Sequence, residues 1–371
     1  SLTSGTENTA IGELALKTLT TGSSNVALGT KALQEHLTGQ KNIAIGAYAM
    51  GDTNDGTTSQ DSDRNVFIGY LSGGGTWANT KSENNVALGA YTMDSPLDGA
   101  THNTAVGDNA LSSITTGDNN VMLGSGTGDG ITTGSNNVFI GMDAGNATTD
   151  VDKAVIIGSS SAGADMTSDA DGTVGIGYDA LNSLTSGGSN TAIGYQAGRN
   201  QSTADNNTFV GYQSGRQTTG DNNTALGKYT MYEGAGADGN TAIGTSALQN
   251  ITGDNNTALG YNAGLSVTSG DSNVALGSGA LDALTTGDEN IAIGLTAGGA
   301  LGAAELRNIA IGSLAMSTMD EGSSGNIDYN IAIGRNALSG ADLGSASTDI
   351  THNIVIGTDA FRNTSGSAQT G

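Results

Sequence analysis

A short apolar run, Asn–(Thr/Val/Ile)–apolar–(Ile/Leu/Val)–Gly, recurs twenty times between Asn8–Gly12 and Asn353–Gly357. Polar, glycine-rich turns separate the copies. Counting the closing glycine as position zero, position −3 is β-branched in every copy and position −1 is always Ile, Leu or Val. Stiff β-branched side chains suit a pleated surface, so each copy predicts a short β-strand. Ten of the nineteen spacings between closing glycines are 17 residues and the shortest is 16. A fixed period this short predicts one small unit per repeat, stacked on its neighbours. The expected fold is therefore all-β, a parallel β-solenoid of about twenty coils that fills residues 1–371 as a single repeat domain.

The rest of the repeat is also patterned. Position +3 is Ala, Ser or Thr in all copies, and position +4 is Leu, Met, Phe, Ala or Gly. Position +7 is often apolar (Leu19, Ile114, Leu184, Ile251, Leu284). A spacing of three between +4 and +7 points to a short helical turn at the corner. Four repeats are stretched, within 51–64, 73–84, 319–329 and 339–352, and insertions in a solenoid map to surface loops.

Successive side chains of a strand point to opposite faces, so −3 and −1 share one face and −2 lies on the other. Yet −2 is apolar everywhere except Gly175. A strand apolar on both faces is usually covered on both. One face lines the coil; the opposite wall or a second chain covers the other, and a symmetric homo-oligomer would supply that cover.

Composition narrows the function classes. The chain has 36 acidic and 12 basic residues, a formal net charge of −24. Such a surface repels phosphate backbones, which argues against a nucleic-acid partner, and it attracts cations. No run approaches the length of a membrane span, so no membrane insertion is expected. Sixty glycines with one proline, Pro96, and no strict triplet exclude collagen. Cysteine is absent, so no disulfide is needed. The chain opens at Ser1 without methionine, which fits a processed protein or a piece of a longer one.

Three columns carry candidate chemistry. Position −4 is Asn in eighteen copies, with Ala154 and Thr173 the exceptions. Asn8, Asn25, Asn42, Asn120, Asn190, Asn256, Asn273 and Asn290 are expected to form a structural amide ladder. At −6 stand Asp118, Asp205, Asp221, Asp254, Asp271 and Asp288. The last three fall in consecutive coils, with carboxylates roughly 5 Å apart. They form a candidate cation site, Ca²⁺ being the candidate ion, against the plainer reading of Asx turns screened by water. Tyr178, Tyr195 and Tyr212 follow the closing glycine in consecutive coils; with Trp77, in the second insertion, they form a candidate glycan platform. Stacked tyrosines also stabilise a solenoid without any ligand. His36, His102 and His352 are widely spaced and signal no catalytic or metal motif.

The repeats Asn25-Val26-Ala27-Leu28-Gly29 and Asn42-Ile43-Ala44-Ile45-Gly46 resemble the head repeats of trimeric autotransporter adhesins of the YadA type. The run Asn190-Thr191-Ala192-Ile193-Gly194-Tyr195-Gln196-Ala197-Gly198 is similar to repeats of phage tail fibres. The resemblance implies a left-handed β-roll, a homotrimer, and an adhesive or spacer role outside the cell, at a virion or cell surface. The 17-residue period is longer than the adhesin repeat and demands a wider coil. The expected function is a non-catalytic rod of an extracellular fibre. A filament subunit stacking end to end and a polysaccharide-degrading tailspike are the alternatives.

Overall fold

A computed structural model describes residues 3–52, 61–78, 80–299, 301–302, 304–320, 326–342 and 349–362. The fold is a parallel β-solenoid with a repeat of about 17 residues. Its contacts divide the chain into two compact units, Ser1–Asn190 and Thr191–Gly371. Each repeat contributes one three-residue strand. The first unit holds ten, from Thr9–Ile11 to Val174–Ile176, and the second holds ten, from Thr191–Ile193 to Ile354–Ile356. Within each unit, neighbouring strands pair parallel and in register: Thr9 lies against Val26, Ala10 against Ala27 and Ile11 against Leu28. The same alignment holds from Thr257↔Val274 to Leu259↔Leu276. Within a unit each strand side chain thus stacks on the equivalent one of the next coil.

The closing glycines have φ between 126° and 148°. Left-handed φ favours glycine, and the stacking adds a steric reason. A β-carbon on Gly29 would stand 2.5 Å from the carbonyl oxygen of Gly46 in the next coil.

The expected helical corner is instead a tight turn. Positions +2 and +4 take left-handed φ in coil after coil, as at Lys31 (59°) and Leu33 (48°), or Asn109 (55°) and Leu111 (52°). That costs roughly 1 kcal/mol or more for each non-glycine residue. The compensation is a hydrogen-bond ladder at the corner as well as in the strand. Leu33 N–H donates to the Ala49 carbonyl and Lys31 N–H to the Glu13 carbonyl. The spacing of three between +4 and +7 is a reverse-turn bond: Leu19 N–H donates to the Leu16 carbonyl, and Ile251 N–H to that of Leu248. A 3₁₀ turn lies at Ser168–Ala170.

Position −2 faces inward, and from Ala27 to Ala332 it is buried in every coil. The core is completed by −4, +3, +4 and the apolar +7 residues. Positions −3 and −1 face outward, and none of the forty is buried. Residues 319–329 and 339–352, expected as loops, contribute two short parallel pairings: Met319–Asp320 with Ala341–Asp342, and Ile327–Asp328 with Ile350–Thr351. The remaining parts of the insertions, 53–60, 79, 321–325 and 343–348, lie outside the described residues.

Candidate functional site

The asparagine column is a largely buried ladder, interrupted at Ala154 and Thr173. The backbone N–H and the Nδ2 of Asn25 both donate to Oδ1 of Asn8, at 2.9 and 3.1 Å. Asn42 repeats this on Asn25, Asn120 on Asn103, Asn273 on Asn256, and Asn290 on Asn273. The second Nδ2 proton donates to the carbonyl at −7 of the next coil, Gly39 for Asn25 and Gly134 for Asn120. Each amide therefore serves three coils. Asn190 is buried too and donates to the Gly187 carbonyl. The ladder loses its side chain at Ala154, whose backbone N–H still donates to Asn137.

The aspartates at −6 build a second ladder, on the backbone. Asp254 N–H donates to Oδ1 of Asp271 at 2.7 Å, and Asp271 N–H to Oδ1 of Asp288 at 2.8 Å. Asp205, Asp221 and Asp238 continue it. Asp238 occupies the same position and was not singled out in the sequence. Elsewhere a hydroxyl takes the place, as where Asp118 N–H donates to Ser135 Oγ. One oxygen of each carboxylate thus satisfies a backbone donor. Among the described residues, no group of three or more His, Cys, Asp or Glu side chains is arranged to hold a metal ion.

Trp77 does not belong to a surface platform. It is fully buried, its ring 5.7 Å from that of Phe67, and its Nε1–H donates to the Gly73 carbonyl. The second insertion folds back to fill the core. Tyr178, Tyr195 and Tyr212 are about half exposed. Tyr195 and Tyr212 stack with centroids 5.1 Å apart and planes 9° from parallel. Tyr229 and Tyr232 extend this cluster edge-on. Desolvation, then neighbouring Tyr229 and Tyr195, raise the Tyr212 phenol above its ordinary value, so it stays a neutral donor. Lys228 Nζ lies 5.7 Å from the Tyr212 ring and 4.8 Å from the Tyr229 ring.

A second tyrosine cluster, in the first unit, escaped sequence reading. Tyr48, Tyr70 and Tyr91 meet edge-on at 6.2 and 5.5 Å. They stand at +2, +1 and +2, so no single column reveals them. Beside them lies a cleft of about 460 Å³ bordered by Lys31, Glu35, Tyr48 and Asp52.

The histidines are not assembled into a site. His36 is buried at +7, within 3.0 Å of Asn42 Nδ2, whereas His102 is exposed and His352 stacks on Tyr329. Desolvation lowers the His36 pKa to about 4, partly opposed by Asp63 and by a hydrogen bond from the imidazole to the Ser62 backbone.

The −3/−1 face is an exposed surface rich in apolar residues. Leu28, Leu88, Leu123, Leu226 and Leu259 are each more than 40% exposed, with β-branched residues beside them on the same face. Among the described residues no helix is long and apolar enough to cross a membrane. No protein-family model matches the chain, and no curated protein resembles it significantly.

Proposed function

We propose that the chain is a non-catalytic structural rod of an extracellular fibre, a spacer that self-associates along its −3/−1 face. One observation supports this most: an aliphatic residue at −1 in all twenty coils, pointing out of the coil. Monomeric soluble proteins rarely expose apolar patches beyond a few hundred Å², and larger ones mark interaction surfaces. Solvent alone gives no reason to hold Ile, Leu or Val there. A second copy presenting the same face would bury it, and closed symmetry limits growth. A homotrimer is the stoichiometry that the resemblance to trimeric adhesin repeats implies.

The test is a native mass measurement across micromolar concentrations, on wild type and on the double variant Leu226→Lys/Leu259→Lys. A single closed oligomer that dissociates in the variant is expected. An open-ended distribution of masses would favour the filament instead. A wild-type monomer at every concentration would overturn self-association.

A further inference from the structure

The tyrosine cluster of the second unit gathers two of the molecule's few cations. The chain carries −24 net charge with only 12 Lys and Arg. Two of those cations lie on aromatic rings here. Lys228 Nζ rests over both Tyr212 and Tyr229. The Arg216 guanidinium lies 5.5 Å from the Tyr232 centroid, and its Nη1 donates to Tyr232 Oη at 3.1 Å. Among the described residues neither cation is in an ion pair, whereas Arg64, Arg307 and Arg362 each have a carboxylate. Lys228 is exposed, and its ammonium protons remain available to a further acceptor.

We propose that Tyr195, Tyr212, Tyr229 and Tyr232, with Lys228 and Arg216, bind a carboxylated polysaccharide of the uronic-acid type. The half-exposed rings of Tyr195 and Tyr212 offer apolar faces for the C–H surface of a sugar, and the phenols of the cluster offer hydrogen bonds to hydroxyls. Lys228 and Arg216 supply charge-assisted donors for the carboxylate. A neutral sugar would leave both cations without a counter-charge. A nucleic acid would meet the repulsion of the whole molecule along its length. A carboxylated sugar needs only a local match, because exposed charges more than about 8 Å away are screened at physiological ionic strength. The inference deepens the extracellular reading and rests on it only for the ligand's source; it does not depend on self-association.

Isothermal titration of the full chain at physiological ionic strength tests it, with polygalacturonate oligomers as probe and neutral dextran of matched length as control. The mass of each variant is measured in parallel, so loss of assembly and loss of binding are read separately. Binding of polygalacturonate but not dextran is expected. Lys228→Ala and Tyr212→Ala should each weaken it at least tenfold, while Tyr212→Phe retains most of it. Circular dichroism of each variant confirms that the coil is intact. No binding to polygalacturonate, equal binding of dextran, or variants that bind like wild type would overturn the proposal.

Discussion

A β-carbon placed on Gly145 would stand 2.6 Å from Cδ2 of Phe139. The two residues occupy +4 and −2 of one coil, and the ring fills the space that the missing side chain leaves. Phe67 with Gly73, Met122 with Gly128, and Phe209 with Gly215 show the same arrangement. Where −2 is Ala, +4 is often large, as in Ala27 with Leu33 or Ala225 with Met231. In these coils the core volume is conserved by exchange between the two positions. Gly145→Ala should destabilise by about 3 kcal/mol through overpacking. Phe139→Ala should cost a similar amount by leaving a cavity. The double variant Phe139→Ala/Gly145→Leu, which copies the Ala27/Leu33 coil, should recover most of the loss in thermal or denaturant unfolding. Additive losses would show that the two positions do not share one space.

Asn120→Ala should be far more damaging than the natural alanine at 154 suggests. It strips the acceptor from the backbone and side chain of Asn137 and the donor from Asn103 and Gly134. Buried polar groups left unmatched cost about 1–3 kcal/mol each. Unfolding should shift by about 3 kcal/mol or more. A change below 1 kcal/mol would mean that water replaces the ladder.

The two faces of one strand should respond in opposite ways. Ala258 is fully buried and Leu259, its neighbour, is about half exposed. Ala258→Asp should prevent folding, because a carboxylate would be buried without a partner. Leu259→Asp should leave the circular dichroism of the dissociated chain unchanged and act on its mass alone. Equal effects on folding would refute the inside–outside assignment.

His36 makes stability depend on acidity. Its pKa is near 4 when folded and near 6.5 when free, so the folded state binds its proton less readily. The neutral form is favoured because burial strips the charged imidazolium of its solvation. Stability from this group is complete above pH 6.5 and is lost as the pH falls toward 4. The loss amounts to about 3 kcal/mol. His36→Leu, which restores the apolar residue common at +7, should flatten this part of the profile. Parallel profiles for the two proteins between pH 7 and 4 would disprove it.

The aspartate ladder should respond to ionic strength rather than to a particular ion. Each carboxylate already accepts a backbone N–H, and like charges repel along the column. Melting temperature is expected to rise equally with Ca²⁺ and with Na⁺ at matched ionic strength. A rise confined to millimolar Ca²⁺ would establish coordination instead.

Much of the coil could be read from the chain. The Asn column and β-branched −3 residues point directly to stacked strands, because both are single-position signals, the first in eighteen repeats and the second in all twenty. The core side could not be read, since −2 and −1 are equally apolar and only the curvature of the coil separates Ala258 from Leu259. The form of the corner stayed open because +4 and +7 share helical spacing, while the left-handed φ of Leu33 carries no residue signature. Trp77 was misplaced because an insertion was equated with surface. The Tyr48–Tyr70–Tyr91 cluster was hidden because rings one position apart meet across coils.

Some coils are complete in themselves and others are not. Phe139 fills the hollow over Gly145 within its own turn of chain, but the hollow over Gly264 is closed by Leu248 of the preceding coil, and that over Gly298 by Leu281. Recombination that cuts out or duplicates a self-sufficient coil leaves two matched surfaces to rejoin. Cutting between Leu248 and Gly264 orphans one half of a pair. The gene can therefore shorten or lengthen at some repeats and not at others, and the permitted junctions are written in where each glycine finds its filler.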